Sequence, residues 1–343
     1  MKKLFNFFKV VILYFFLYLI FIFFIEIIFG NWFKNNFNLR LSSERNINRA
    51  YEFDFTNHKG YSHYIRDNYA FRVKDKNTNI KDIDIIFAGG STINQKFLNY
   101  DETIVGQLQK GFKNLNIVNS GIDGMSILGH INSFSLWFDK MDDLKPKYYI
   151  YYIGLNDSSL LNNRKIKSVD ELTESNMSGK IREYLEANSF FYKRFRIIKT
   201  NLFLKYNFKK GANIVNGKTV VYGERKSTNF ISYDDFAKIN SPNKKFQKIY
   251  TSYLEDLTNE VRKRNSKIIY VTQTTGHGMT EAYFSIAISI MDHCNKFNLE
   301  CFNLAQELDL SYNDFYDWAH LNINGSKKVG NYLFKKLNKT INQ

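Results

Sequence analysis

Short apolar runs rich in β-branched and aromatic residues alternate with stretches of helical periodicity from residue 83 to residue 337, and this alternation constrains the fold most. The runs occupy 83–88, 116–118, 148–153, 268–271 and 301–304. They are too short for buried helices, so they read as strands. Between them, Ile104, Leu108 and Phe112 share a helical face, as do Phe246, Tyr250, Leu254, Leu257 and Val261. Further helices are expected over 279–297 and over 324–337, the latter carrying Val329, Leu333 and Leu337. Nearly continuous apolar strands alternating with amphipathic helices predict a parallel sheet covered on both faces. Sites in such sheets lie beyond the carboxyl ends of the strands. Three polar, glycine-containing stretches stand directly after strands: Gly89-Gly90-Ser91, residues 119–124, and residues 154–157.

Ahead of this pattern, residues 10–29 form a nearly unbroken apolar stretch after Lys2, Lys3 and Lys9. About 20 apolar residues cross a ~30 Å hydrocarbon core. Glu26 lies near its far end, and Trp32 and Phe33 follow as an interfacial belt would require. The run is long for a signal peptide and no small-x-small cleavage site follows it, so residues 1–30 read as a transmembrane anchor. The three early lysines place the N-terminus in the cytoplasm and the domain outside, although Lys34 and Arg40 follow the span. Residues 31–81 have weak periodicity and are expected to be a connector packed onto the domain at 82–340. Residues 162–241 interrupt the alternation as a basic helical insertion, with sixteen Lys/Arg against eight Asp/Glu. Its apolar stripe of Phe191, Phe195, Ile198 and Leu202, flanked by Lys193, Arg194, Arg196 and Lys199, fits a lid, a helix on a membrane surface, or a packed insertion.

The chain of 343 residues carries a formal charge of +15. Such a surface favours anionic partners, and the anchor makes nucleic acid the least fitting of them. Cys294 and Cys301 are seven apart, open either to a disulfide outside the cytoplasm or to two buried thiols. The six histidines show no metal-ligand spacing with carboxylates, and neither metal nor cofactor is expected.

Four separated stretches supply the parts of an ester-cleaving site. Ser91 follows a strand and two glycines and precedes a probable helix, whose N-terminus favours anionic charge. Serine needs a base to take its proton. Asp317 and His320, three apart on a loop before the last helix, can supply it: the carboxylate accepts from Nδ1–H and leaves Nε2 free. The Ser91 N–H, the Gly124 N–H and the Asn156 side-chain amide are candidate donors to an oxyanion.

These residues resemble the SGNH (GDSL-like) hydrolase superfamily over about residues 82–340. Gly89-Gly90-Ser91-Thr92 looks like its first block, Gly124 in Asn119-Ser-Gly-Ile-Asp-Gly its second, and Asn156 in Gly-Leu-Asn-Asp its third. Asp317 and His320, followed by Leu321-Asn-Ile-Asn-Gly, look like the last. The resemblance implies a three-layer α/β/α, flavodoxin-like fold with a five-stranded parallel sheet. It also implies metal-independent ester hydrolysis or acyl transfer through an acyl-serine. Gly90 stands where many members have Asp, and a glycine often found a few residues after the Ser-Thr pair is missing around Asn94-Gln95. The Gly-x-Ser-x-Gly elbow of α/β-hydrolases is absent, because Ile93 occupies its last position. The leading expectation is a membrane-anchored serine esterase removing acyl, foremost acetyl, groups from an envelope glycan or a small ester. The alternatives are an O-acetyltransferase of an exported polysaccharide and an inactive glycan-binding or assembly subunit.

Overall fold

The computed structural model describes residues 2–33, 45–55, 58–75, 78–162, 177–206 and 230–341. In chain order the elements before the middle of the chain are α1 (Lys2–Phe29), β1 (Ile47–Phe55), β2 (His58–Arg66), β3 (Arg72–Val73), β4 (Ile85–Gly89), α2 (Ser91–Asn94), α3 (Ile104–Gly111), β5 (Ile117–Asn119), α4 (Ile127–Leu136) and β6 (Tyr148–Tyr152). Then come α5 (Met177–Asn188), α6 (Phe190–Tyr206), α7 (Tyr233–Ile239), α8 (Lys244–Arg262), β7 (Lys267–Val271), α9 (Glu281–Phe297), β8 (Glu300–Phe302), α10 (Leu304–Glu307) and α11 (Ile323–Ile341). Side chains rather than backbone alone fix the helix starts: Thr103, Ser126, Asn243 and Thr280 each accept from an N–H of the first turn of α3, α4, α8 and α9.

One eight-stranded sheet runs β1-β2-β3-β5-β4-β6-β7-β8. The strands from β5 to β8 are parallel throughout, as expected. The sheet as a whole is mixed, because β1, β2 and β3 pair antiparallel and β3 joins β5 through Arg72 and Asn119. The segment expected to be a connector is therefore an extension of the sheet. Its buried positions include Arg45, Asn48, Ser62, Arg66 and Arg72. These alternate irregularly with buried Ile47, Tyr51, Tyr64 and Ile65, and the mixture leaves no clean hydrophobic period to read in the sequence.

The side-chain alternation of the parallel strands makes two cores. Ile86, Ala88, Tyr149, Tyr151, Ile268 and Tyr270 face α4, α8 and α9. Ile85, Phe87, Ile150, Tyr152, Ile269 and Val271 face α3 and α11. The result is a three-layer α/β/α fold. β4 lies between β5 and β6, so the chain winds one way to β5 and the other way to β6, β7 and β8. The carboxyl end of β4 is thus the topological switch point, where the sheet opens a crevice.

The helix α1 contains a 24-residue stretch, Asn6–Phe29, long and apolar enough to cross a membrane, with mean hydropathy 2.8. Of the basic insertion, residues 163–176 and 207–229 lie outside the described residues. Its α6 packs on β1, where the Thr200 hydroxyl donates to the Asn48 carbonyl at 3.1 Å. Cys294, at the end of α9, pairs with Cys301 in β8. Of the two possibilities the spacing left open, the structure takes the disulfide.

Candidate active site

Ser91 begins the one-turn helix α2 directly after β4, so the switch point presents its hydroxyl. A Cβ at Gly90 would lie 2.3 Å from the Asn156 side-chain nitrogen, so a larger residue here would have to displace this amide.

The histidine arrives from the far end of the chain on a tight loop between β8 and α11. Phe315 and Leu321 form an isolated antiparallel bridge, and the Tyr316 N–H donates to the His320 carbonyl at 2.9 Å. Within this loop Asp317 is 2% exposed and accepts three times. Its Oδ1 takes the Ala319 and His320 backbone N–H groups, each at 2.7 Å. Its Oδ2 lies 2.7 Å from His320 Nδ1. An ionised carboxylate only accepts, so Nδ1 carries the proton and Nε2 is left to accept. His320 Nε2 stands 2.7 Å from Ser91 Oγ, across 229 residues of sequence. The Tyr316 ring lies nearly parallel to the imidazole, with centroids 5.6 Å apart. The Gly276 N–H donates to the Trp318 carbonyl at 2.8 Å and ties the loop to the exit of β7.

The three expected oxyanion donors converge less directly. Gly124 sits in a turn at φ +75°, a conformation suited to glycine. Among the described residues, neither the Ser91 nor the Gly124 N–H has a hydrogen-bond partner. The Asn156 amide donates to the Met125 carbonyl at 2.9 Å, one residue beyond Gly124, and approaches Gly90 from the other side. All three therefore border the Ser91 turn, and one Asn156 N–H is spent on holding the second block against the third.

Several buried polar residues that sequence reasoning passed over hold this arrangement. Asn94, in place of the glycine common near this position, is a hub. Its Oδ1 accepts from the Tyr64 hydroxyl at 2.9 Å and from Arg66 at 3.1 Å, while its Nδ2 donates to Asp123 at 2.7 Å. Gln95 takes a left-handed conformation, accepts from the Ile104 N–H at 2.7 Å and donates to Ser326 at 2.6 Å. Arg72, fully buried, donates to the backbone carbonyls of Asn94, Gln95 and Leu98, and burial holds its pKa down to about 10. Gln273, just past β7, donates to Thr92 Oγ1 at 3.0 Å and to the Tyr152 carbonyl at 2.9 Å, and accepts from the Leu155 N–H at 2.9 Å. It fastens the residue after the nucleophile to the third block. The one signal available was position, immediately after a strand.

Two acidic groups flank the site with opposite behaviour. Burial pushes Asp157 up to about 7, against hydrogen bonds from the Ile127 N–H and the Tyr250 hydroxyl. Burial also acts to raise Asp123, but its contact with Lys96 and the Asn94 amide outweighs it and holds the carboxyl at about 2. Charge on His320 adds to this lowering of Asp123. Among the described residues no cluster of His, Cys, Asp or Glu is arranged to hold a metal ion.

A doubly wound three-layer sheet with this series of groups at its switch point defines the class: an α/β/α ester hydrolase. The model of the GDSL-like Lipase/Acylhydrolase family matches residues 70–333, and the chain belongs to that family. The match begins within the strand extension, at Ala70, and so takes in β3. No curated protein matches the chain. Among solved structures it is similar to a lipolytic G-D-S-L protein from Veillonella parvula, at 11% identity and TM-score 0.42, covering 74% of this chain and 97% of that one. It is similar too to an acetylxylan esterase from Geobacillus stearothermophilus, at 12% identity and TM-score 0.40, covering 74% of this chain and 94% of that one.

Proposed function

We propose that this ester hydrolase removes acyl groups, acetyl foremost, from hydroxyls of an envelope glycan, through an acyl-serine formed on Ser91. The observation that carries the chemistry is the continuous series Asp317 Oδ2, His320 Nδ1, His320 Nε2, Ser91 Oγ, with both gaps at 2.7 Å. Ser91 Oγ attacks the ester carbonyl while His320 Nε2 takes its proton. Asp317 keeps the tautomer and stabilises the imidazolium that forms. The Ser91 and Gly124 N–H groups and the Asn156 amide receive the oxyanion. Collapse of the tetrahedral adduct breaks the bond to the sugar oxygen, which leaves with the proton from His320. Water, deprotonated by the same imidazole, then attacks the acyl carbonyl; the bond to Ser91 Oγ breaks, His320 returns the proton to Oγ, and the acid is released.

The placement outside the cytoplasm rests on the lysines before the α1 span and on the Cys294–Cys301 pair, which fits an oxidising compartment. The glycan assignment rests on that placement and on the +15 charge, which favours an anionic polymer. Incubating the full chain with an activated acetyl ester tests the chemistry: wild type hydrolyses it and Ser91→Ala does not. A silent wild type, or a fully active Ser91→Ala, rejects the reading. Acetate release from O-acetylated polysaccharide tests the substrate, and small-ester activity without polymer deacetylation rejects the glycan. Appearance of acetyl on an added sugar acceptor would reassign the enzyme to transfer. Protease added to intact cells digests the domain if it faces outward, and protection reverses the orientation.

A further inference from the structure

The helix α6 turns a row of apolar side chains away from the domain it packs on. Phe191, Phe195, Ile198 and Leu202 are 39%, 61%, 58% and 47% exposed. At 3.6 residues per turn they fall within about 60° of arc. The side that faces β1 buries polar residues: Arg196 and Thr200 are buried there, Thr200 on the Asn48 carbonyl and Arg196 beside Glu186. Glu186 is also held by Arg49 of β1. A helix that buries Arg196 and Thr200 on its own domain and turns a row of four apolar side chains outward calls for an apolar partner on that row.

The position of α6 identifies the partner. Its N-terminus is seated on the end of the apolar helix α1. The Glu26 carboxylate of α1 accepts from the Phe190 and Phe191 N–H groups at 3.0 and 3.1 Å, capping α6, and from the Trp32 indole at 3.0 Å. The Phe29 and Phe190 rings lie 5.5 Å apart, and the Asn31 N–H donates to the Asn188 carbonyl at 2.8 Å. The first turn of α6, where the stripe begins at Phe191, therefore sits against the end of α1. Arg194 and Lys199 fall on the two edges of the stripe, where an interfacial helix carries cations towards lipid phosphates.

We propose that α6 lies in the bilayer surface beside α1, with the Phe191–Leu202 stripe in the headgroup–acyl boundary and Arg194 and Lys199 on anionic headgroups. Two points of membrane contact, joined by the Glu26 cap, hold the hydrolase domain in one orientation instead of leaving it to swing on a tether. The inference rests on α1 being a membrane span but not on the chemistry of Ser91.

The test uses the full chain in nanodiscs of phosphatidylglycerol and phosphatidylcholine. A polarity-sensitive fluorophore is attached to Phe195→Cys or Ile198→Cys, with Phe15→Cys in α1 and Asn99→Cys on the exposed domain surface as references. Labels at 195 and 198 should show a blue shift, lose fluorescence to lipids bearing a nitroxide high on the acyl chain, and resist aqueous iodide. The label at 99 should do the reverse. Iodide quenching at 195 and 198, with the label at 15 quenched by lipid, overturns the inference while leaving the anchor intact. Protection from both quenchers overturns it in favour of a protein covering the stripe. A label at 15 that lipid does not quench removes the span and the inference with it.

Discussion

Asp317 shows how much one residue is made to do in this site. One oxygen closes the loop on two backbone N–H groups, and the other fixes the imidazole. Asp317→Asn can keep the loop but presents an amide that reverses the tautomer, so kcat should fall about 10⁴-fold with KM little changed. Steady-state kinetics on a small acetyl ester checks this. Asn156→Ala removes one donor to the oxyanion and should cost about 10²–10³-fold in kcat. It should also loosen the turn at Met125, to which the amide is bonded. Asp157 gives a signature in stability rather than rate. Its carboxyl is raised from 3.8 to about 7 in the fold, so the folded chain holds the proton more tightly than the unfolded one. That contribution is complete below the unfolded value and is lost as pH rises through about 7. Asp157→Asn, which can still accept from the Ile127 N–H, should therefore gain on wild type between pH 4 and 7, by an amount on the order of a few kcal/mol. Urea midpoints of the two proteins across that range measure it, and parallel curves would refute it.

At the scale of elements, the unexpected part is the antiparallel extension β1–β3. It was legible only as a stretch of weak periodicity, because it buries Arg66, Arg72, Asn48 and Ser62 in among its apolar positions Ile47, Tyr51, Tyr64 and Ile65. Arg66 and Arg72 reach from it under the nucleophile turn, to Gly121 and to the carbonyls of residues 94, 95 and 98. The chain from Asn94 to Leu98 follows Ser91 without regular structure beyond α2, so these donors take the place of a ladder. Arg72→Met would strand buried carbonyls and should cost at least about 2 kcal/mol in denaturant unfolding. Below its melting range it should also lower kcat/KM about 10- to 100-fold, because Ser91 is then less well aimed. A variant as stable and active as wild type would show that the extension is only a covering.

At the scale of the whole molecule, the disulfide and the apolar helix α1 stand toward opposite edges of the sheet. Cys294 and Cys301 close a short loop that staples the end of α9 to the edge strand β8. Reducing it should lower stability by about 2 kcal/mol, seen as a lower Tm of purified protein in reductant. Alkylation before and after reduction reads the pairing directly in protein taken from cells. The basic insertion carries half of the charge and leaves the α5–α6 pair packed between α1 and β1.

The local sequence determined the alternation of strand and helix, the two apolar cores, the apolar N-terminal helix and the four stretches from which the site is drawn. Each is written in a short unbroken apolar run, in a period of 3.6, or in a glycine beside a strand end, and needs no distant residue to be read. Tertiary structure alone decided that β4 falls between β5 and β6, that Ser91 and His320 meet there, and that Arg66, Arg72, Asn94 and Gln273 converge behind them. Burial of apolar area is nonspecific in partner and so leaves a repeating local pattern. A buried hydrogen bond is specific in partner and spans any number of residues, so its two ends leave no period at all.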